Sequence, residues 1–293
     1  MVMKLMVSKL EVALKTYYKK HGISALNFKC PHFKKCKSDC AKFSTAKEAN
    51  LGVKYGRQGV PKLLFLSLDP GYSSAKPKNK TLQKVREIDL NADLKISNIH
   101  WRRTLEFAWV VLLGLKDTMN LKLSSDVTNN ASIPFKELYQ TGKAKAILPY
   151  IAHTNSAKCS MQKEGKKQAD ARLFTNCREY ILGEIRLLDP DILVTQGKFA
   201  HRVIDKAITE GKIRPVNKGR TISGAEYKVN GTYTKTDYQE IVFTDRPEKR
   251  LIWIRHYHPS NYGKFPKNWK AYYPQYGYAD RIAKDLISKR QTA

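Results

Sequence analysis

An acid, an amide and an imidazole each stand at the end of an apolar run in this chain, a set that can do chemistry. Lys62-Leu63-Leu64-Phe65-Leu66-Ser67-Leu68 stops at Asp69-Pro70-Gly71. A second run, residues 144–155, closes on Thr154-Asn155 ahead of Ser156-Ala157-Lys158-Cys159. A third, residues 250–257, closes on His258-Pro259-Ser260. Apolar runs bounded by turn residues predict strands buried on both faces, as in a parallel sheet. Parallel sheets carry their sites just beyond the carboxyl ends of the strands, so Asp69, Asn155 and His258 are expected to converge on one cleft. Pro70 and Gly71 stop the first strand and let the backbone approach a ligand closely. An asparagine amide offers a base edge both a donor and an acceptor. A histidine can donate to a developing oxyanion.

The five cysteines are a second chemical resource. Cys30, Cys36 and Cys40 lie in one short basic loop, and Cys159 and Cys177 flank a lysine-rich segment. An odd number argues against a disulfide framework. Iron–sulfur ligation, a zinc site that could include His32, and reduced buried thiols are the readings that remain.

Helices must carry these strands. Residues 5–20 have helical periodicity, with Leu10, Ala13, Leu14 and Tyr17 on one face. Residues 102–115, 171–188 and 198–208 also read as helices, residues 191–195 as a further buried strand turning at Gln196-Gly197, and 278–288 as a closing helix. The polar, lysine-rich stretch 73–99 reads as an insertion over the site. Residues 213–237, with an Asn230-Gly231 turn, read as a hairpin insertion. Strands alternating with helices predict the α/β class, a three-layer α/β/α sandwich around a mostly parallel sheet. With no internal repeat and no linker, residues 1–293 are expected to form one elaborated domain, whose first 60 residues supply a helix and the cysteine-rich loop.

Charge bounds the partner. Lys and Arg number 54 against 26 for Asp and Glu, a net charge of +28, which favours a polyanion, with nucleic acid first. The apolar stretch 107–115 is too short to cross a bilayer, and the lysine-dotted N-terminus has no signal-peptide pattern. A cytoplasmic monomer that binds nucleic acid and no membrane is the expectation.

Taken in order, these motifs resemble the uracil-DNA glycosylase superfamily. Leu66-Ser67-Leu68-Asp69-Pro70-Gly71 is similar to its first motif, written GQDPY, GINPG or GEAPG in different branches, and His258-Pro259-Ser260 matches its HPS motif. Thr154-Asn155-Ser156-Ala157-Lys158-Cys159 resembles the TNxxKC segment of the iron–sulfur, family-four-like branch, and the segment from Cys177 to Val194 resembles that branch's cysteine-headed helix and next strand. The resemblance implies a DNA glycosylase that flips uracil, or a related deaminated base, out of DNA and hydrolyses its N-glycosidic bond. Asp69 would stabilise the cationic sugar and direct water, and His258 would donate to the departing base. The aspartate stands as in GQDPY, whereas GEAPG enzymes carry their carboxylate one residue earlier, where this chain has Leu68.

The same resemblance assigns the rest of the site. Asn155 would read the flipped base and Trp101 would stack on it, while Gly71 takes the place of the thymine-excluding tyrosine of the GQDPY branch and Tyr72 could substitute. Tyr262, or else Phe265, would wedge into the vacated stack, and Ser73, Ser74, Ser260, Lys158, Lys163 and Lys264 could meet phosphates. A 4Fe-4S cluster would take Cys36, Cys40, Cys159 and Cys177, with Cys30 as the alternative to one of the first two and zinc as the alternative metal. A protein of the same fold that binds DNA or a modified base without cutting, and a zinc- or cluster-containing nucleic-acid module, are the competing functions.

Overall fold

Apolar continuity builds the centre of the molecule. The computed structural model describes residues 2–38, 40–44, 47–57, 59–68, 81, 99–163, 170–216, 238–256, 258–259, 283–284 and 286–287. In chain order these form α1 (Val2–Lys20), α2 (Phe33–Lys37), β1 (Cys40–Ser44), β2 (Asn50–Leu51), β3 (Leu63–Ser67) and α3 (Ile99–Met119). Then come α4 (Ser125–Thr128), α5 (Phe135–Gln140), a 3-10 helix (Lys143–Tyr150), β4 (Ile151–Asn155), β5 (Ser160–Lys163) and α6 (Ala171–Leu188). The last are β6 (Ile192–Gln196), α7 (Lys198–Thr209), β7 (Ile213–Pro215), β8 (Tyr238–Phe243) and β9 (Arg246–His256).

Among the described residues the main sheet runs β2-β4-β3-β6-β9-β8-β7. Its four central strands, β4, β3, β6 and β9, are parallel, and the outer ones join antiparallel. Every residue of β3, β4 and β6 is buried, because helices cover both faces. On one face, Leu14 and Tyr18 of α1 pack with Ile181 and Ile185 of α6 and Val203 and Ile204 of α7. On the other, Leu105, Ala108 and Leu112 of α3 pack with Leu138 of α5 and Ile147 of the 3-10 helix. This is the expected three-layer α/β/α sandwich. A separate ribbon pairs β1 with β5, tying the first cysteine loop to the segment after Cys159.

One expected strand is shorter than the apolar run that suggested it. Residues 144–150 form a 3-10 helix, entered through left-handed Gly142 (φ +75°), and β4 begins only at Ile151. Pro149 has no N–H for a ladder, and its carbonyl accepts from the Lys54 N–H at 2.7 Å. Residues 213–215, taken with a hairpin insertion, form the edge strand β7 of the main sheet, and most of the suggested hairpin lies outside the described residues, as do 73–80 and 82–98 of the first insertion.

The 3-10 helix also sets a packing constraint. A Cβ on Gly52 would stand 2.4 Å from the Pro149 carbonyl oxygen and 2.6 Å from that of Leu148, both backbone atoms. Gly52→Ala is therefore expected to destabilise the fold by about 1–3 kcal/mol, read as a lowered midpoint in urea unfolding. An unchanged midpoint would mean that the 3-10 helix gives way freely.

Candidate active site at the mouth of the sheet

The parallel strands end level with one another. Ser67 of β3 pairs with Asn155 of β4, and Gln196 of β6 pairs with His256 of β9, two residues before His258. The Ser156 N–H donates to the Ser67 carbonyl (2.8 Å) and its hydroxyl to the Leu68 carbonyl (3.1 Å), clamping the chain that leads to Asp69 against the segment after Asn155. On the far side, Gly197 has φ +94°, and a Cβ there would come within 3.0 Å of His258 Cβ. Glycine thus allows the β6 turn to lie against the His258 segment. Arg103 of α3 donates to the Pro259 carbonyl at 2.6 Å.

The start of α3 closes the mouth with rings. Trp101 packs on His153 at a centroid distance of 4.9 Å, and His100 lies 6.0 Å from His153 and 5.5 Å from His258. These rings link the β4 side of the mouth to the β9 side. Behind them runs a line of hydrogen bonds: His153 Nε2 to Ser67 Oγ (2.8 Å), Ser67 Oγ to Gln196 Oε1 (2.6 Å), Gln196 Nε2 to Thr104 Oγ1 (3.0 Å), and Thr104 Oγ1 to the His100 carbonyl (2.9 Å). Burial first, then the charges of His258, Lys47 and His256, pushes the His100 imidazole down to about 3. Burial, then Lys47, holds His153 well below the ordinary histidine range. Both rings are neutral near pH 7.

Of the residues expected from sequence, Asn155, His258 and Trp101 are on this mouth. Asp69, Gly71, Tyr72, Ser260, Tyr262 and Lys264 lie outside the described residues. Sequence reasoning missed His153, Ser67, Gln196, Thr104, His100 and Lys47. For Ser67, His153 and Gln196 the available signal was a polar side chain in the last three positions of strands that are otherwise apolar, and the other three carried none.

Lys158, expected at a phosphate, is instead buried. Its side chain is 1% exposed and pairs with Glu184, itself 0% exposed, at 2.6 Å. Lys158 Nζ also donates to Thr154 Oγ1 (2.9 Å), Thr154 donates to Glu184 Oε2 (2.9 Å), and the Tyr18 hydroxyl donates to Glu184 Oε1. The lysine follows a strand end that turns inward under α6, so it meets a carboxylate on the buried face of that helix rather than solvent.

The cysteines gather on the same side. Cys36, Cys159 and Cys177 are buried, and Cys30 and Cys40 are half-buried. Each pair among Cys30, Cys36, Cys159 and Cys177 interacts electrostatically, while the Cys40 thiol donates to the Cys36 carbonyl at 3.5 Å. Burial chiefly, then neighbouring thiolate charge, raises the Cys159 thiol, and burial pushes Cys177 up to about 12. Asn176 donates to Cys36 Sγ at 3.0 Å, and the Lys158 N–H to Cys177 Sγ at 3.5 Å. Four thiols with N–H donors on two of them fit the donor chemistry of a cluster. Among the described residues, however, no three Cys, His, Asp or Glu side chains are gathered closely enough to hold an ion, so binding one would require the sulfurs to move together.

A buried histidine behind β6 gives the fold an acid limit. Thr195 Oγ1 lies 2.7 Å from His201 Nδ1 and accepts from Trp253 Nε1 at 2.9 Å. Burial first, then Arg255, lowers His201 to about 3. Below pH 6.5 the unfolded chain therefore takes up a proton that the folded chain refuses, and stability falls as pH falls. The expected loss is roughly 1.4 kcal/mol per pH unit for this residue. Urea unfolding between pH 6.5 and 5 checks it, with His201→Gln flattening the slope by one proton.

No helix among the described residues is long and apolar enough to cross a membrane. A search of curated proteins found no match. The family model described as the uracil DNA glycosylase superfamily matches residues 115–276, a stretch that contains Asn155, Cys159, Cys177 and His258 but begins after Asp69 and Trp101. That match spans more than half of the 293 residues and includes both the asparagine and the histidine that the sheet brings to its mouth: the chain belongs to the uracil DNA glycosylase superfamily.

Proposed function

We propose that the protein is a single-domain, monomeric DNA glycosylase that releases uracil, or a related deaminated base, by hydrolysing the N-glycosidic bond. The observation that carries this reading is the line of rings from Trp101 through His153 and His100 to His258, which joins the Asn155 end of the mouth to the His258 end. Membership in a superfamily of DNA glycosylases supports the reaction class, and a net charge of +28 supports a DNA substrate.

A base inside a duplex is out of reach, so the target must be flipped into the mouth. Bond cleavage leaves positive charge on the sugar and negative charge on the base. Asp69 would face the sugar, stabilising its charge and directing the attacking water. His258 would donate to a carbonyl oxygen of the departing base, where negative charge grows. Asn155 meets the Watson–Crick edge, and Trp101 flanks the base. The ligands we favour are Cys36, Cys40, Cys159 and Cys177, with Cys30 as the alternative to one of the first two. A 4Fe-4S cluster held there would order the basic loop between Cys159 and Cys177 and take no redox step.

The test is a labelled oligonucleotide with one uracil, incubated with the protein and then with hot alkali. Strand breakage at the uracil that is absent with Asp69→Asn supports the reading. No breakage by a protein that still binds the oligonucleotide overturns uracil as the substrate, and no breakage on oligonucleotides carrying the other deaminated bases overturns cutting altogether in favour of a reader.

A further inference from the structure

The strand end that carries Asn155 is tied down from its opposite face. Asn155 is 5% exposed, and its side-chain amide has no hydrogen-bond partner among the described residues. Its aim is therefore set by the backbone that carries it. Neighbours on a strand face opposite ways, so while Asn155 faces the mouth, Thr154 faces α6. The Thr154 hydroxyl donates to Glu184 Oε2 on the buried side of that helix at 2.9 Å. The chain then turns, and Lys158 Nζ reaches back four residues to donate to Thr154 Oγ1 at 2.9 Å. One ammonium thus closes residues 154–158 into a loop that holds Asn155.

These ties leave a single arrangement of protons. An ammonium can only donate, and Lys158 Nζ gives to Thr154 Oγ1, to Glu184 Oε1 (2.7 Å) and to Glu184 Oε2 (2.6 Å). Thr154 accepts from the lysine and so must give its own proton to Glu184, while the Tyr18 hydroxyl donates to Oε1. Every polar atom of the three side chains is engaged. A buried network satisfied to this degree is rigid. Energetics point the same way, since a buried ion pair is a weak source of stability and packed apolar residues often do as well or better. What this pair adds is direction, in a site that no solvent reaches, its members being 1% and 0% exposed.

We propose that Lys158, together with Glu184, is a positioning residue for base recognition, holding residues 154–158 in the geometry that turns the Asn155 amide to the flipped base. Neither side chain meets the base or the sugar, so their effect on recognition runs through Asn155. The proposal rests on the base-excision reading above and deepens it.

The test is a double-variant cycle. Thr154→Val keeps the shape of its side chain and cuts the loop from the ion pair. Lys158→Met with Glu184→Leu removes the pair while keeping most of the stability. Each change is made alone and on top of Asn155→Ala, and urea midpoints are recorded for all. Single-turnover excision and equilibrium binding are measured on duplexes carrying uracil, hypoxanthine or xanthine, each against its amino-bearing parent base. Alone, either change is expected to lower excision, and the binding preference for the deaminated base, by roughly 10–100-fold. On top of Asn155→Ala, either is expected to cost less than about twofold more. Losses that multiply in full, or a variant that matches the wild type, overturn the proposal. Should one of the two changes prevent folding, the other decides. If the wild type cuts none of these bases yet binds one in preference, and the cycle couples on binding, the excision reading fails while Lys158 keeps its role. If it cuts and the losses multiply, excision stands and the positioning role fails. A wild type that neither cuts nor prefers any of them overturns both.

Discussion

Lys158→Met is expected to cost about 3–5 kcal/mol of folding stability. The reason is Glu184, which is 0% exposed and would lose its cation. Tyr18 and Thr154 would still donate to it, but two neutral donors do not replace an ammonium in a dry site. The pair itself need not be stabilising, because desolvating two ions is costly. Lys158→Met combined with Glu184→Leu is therefore expected to recover most of the loss. Urea unfolding of the two single variants and the double variant closes the cycle. A single-variant cost below about 1 kcal/mol would mean that Glu184 simply takes up a proton, and the ion pair would then be incidental. Because Thr154 adjoins Asn155 and the Lys158 N–H meets Cys177 Sγ, slack here should reach both the mouth and the thiols.

Asp69→Asn carries the largest expected effect on rate, a loss of roughly 10³-fold in single-turnover excision with DNA affinity undiminished. Asparagine keeps the shape of the side chain and removes the charge that would balance a cationic sugar and draw a proton from water. The residue that precedes it is already anchored, since the Leu68 carbonyl accepts from Ser156. A fall in affinity that matched the fall in rate would assign Asp69 to binding. A variant as fast as the wild type would remove it from the chemistry.

The scaffold was legible because its signals are redundant. The helix read at residues 171–188 coincides with α6, and β3 falls inside the run that announced it, since a strand buried on both faces can tolerate little but apolar residues. β6 matches the run at 191–195 but extends through Gln196. The run at 144–155 misled for the same reason, as apolarity without period fits a 3-10 helix as well as a strand. Asn155 and His258 could be placed at the mouth of the sheet because motif and strand end coincide. His153 was missed because a histidine two residues before the end of a buried strand carries no motif. Glu184 could have been found, since it falls on the α6 face that also buries Cys177, Ile181, Ile185 and Leu188. A carboxylate on such a face calls for a cation, and Lys158 sits in a stretch, Ser156 to Met161, that is buried throughout.

The distance along the chain between α1 and its partner has a consequence for synthesis. Tyr18 meets Glu184 across 166 residues, and Tyr17 meets the Tyr180 carbonyl across 163. At ribosomal speeds of about 5–20 residues per second, α1 waits roughly 10–30 s after it is made before α6 exists to receive it. During that interval Leu14 and Tyr18, fully buried in the finished protein, have nowhere native to go. The nascent chain is thus most vulnerable to aggregation until Leu188 has been made, about two thirds of the way through its 293 residues, and slowing elongation before that point lengthens the exposure instead of helping the fold.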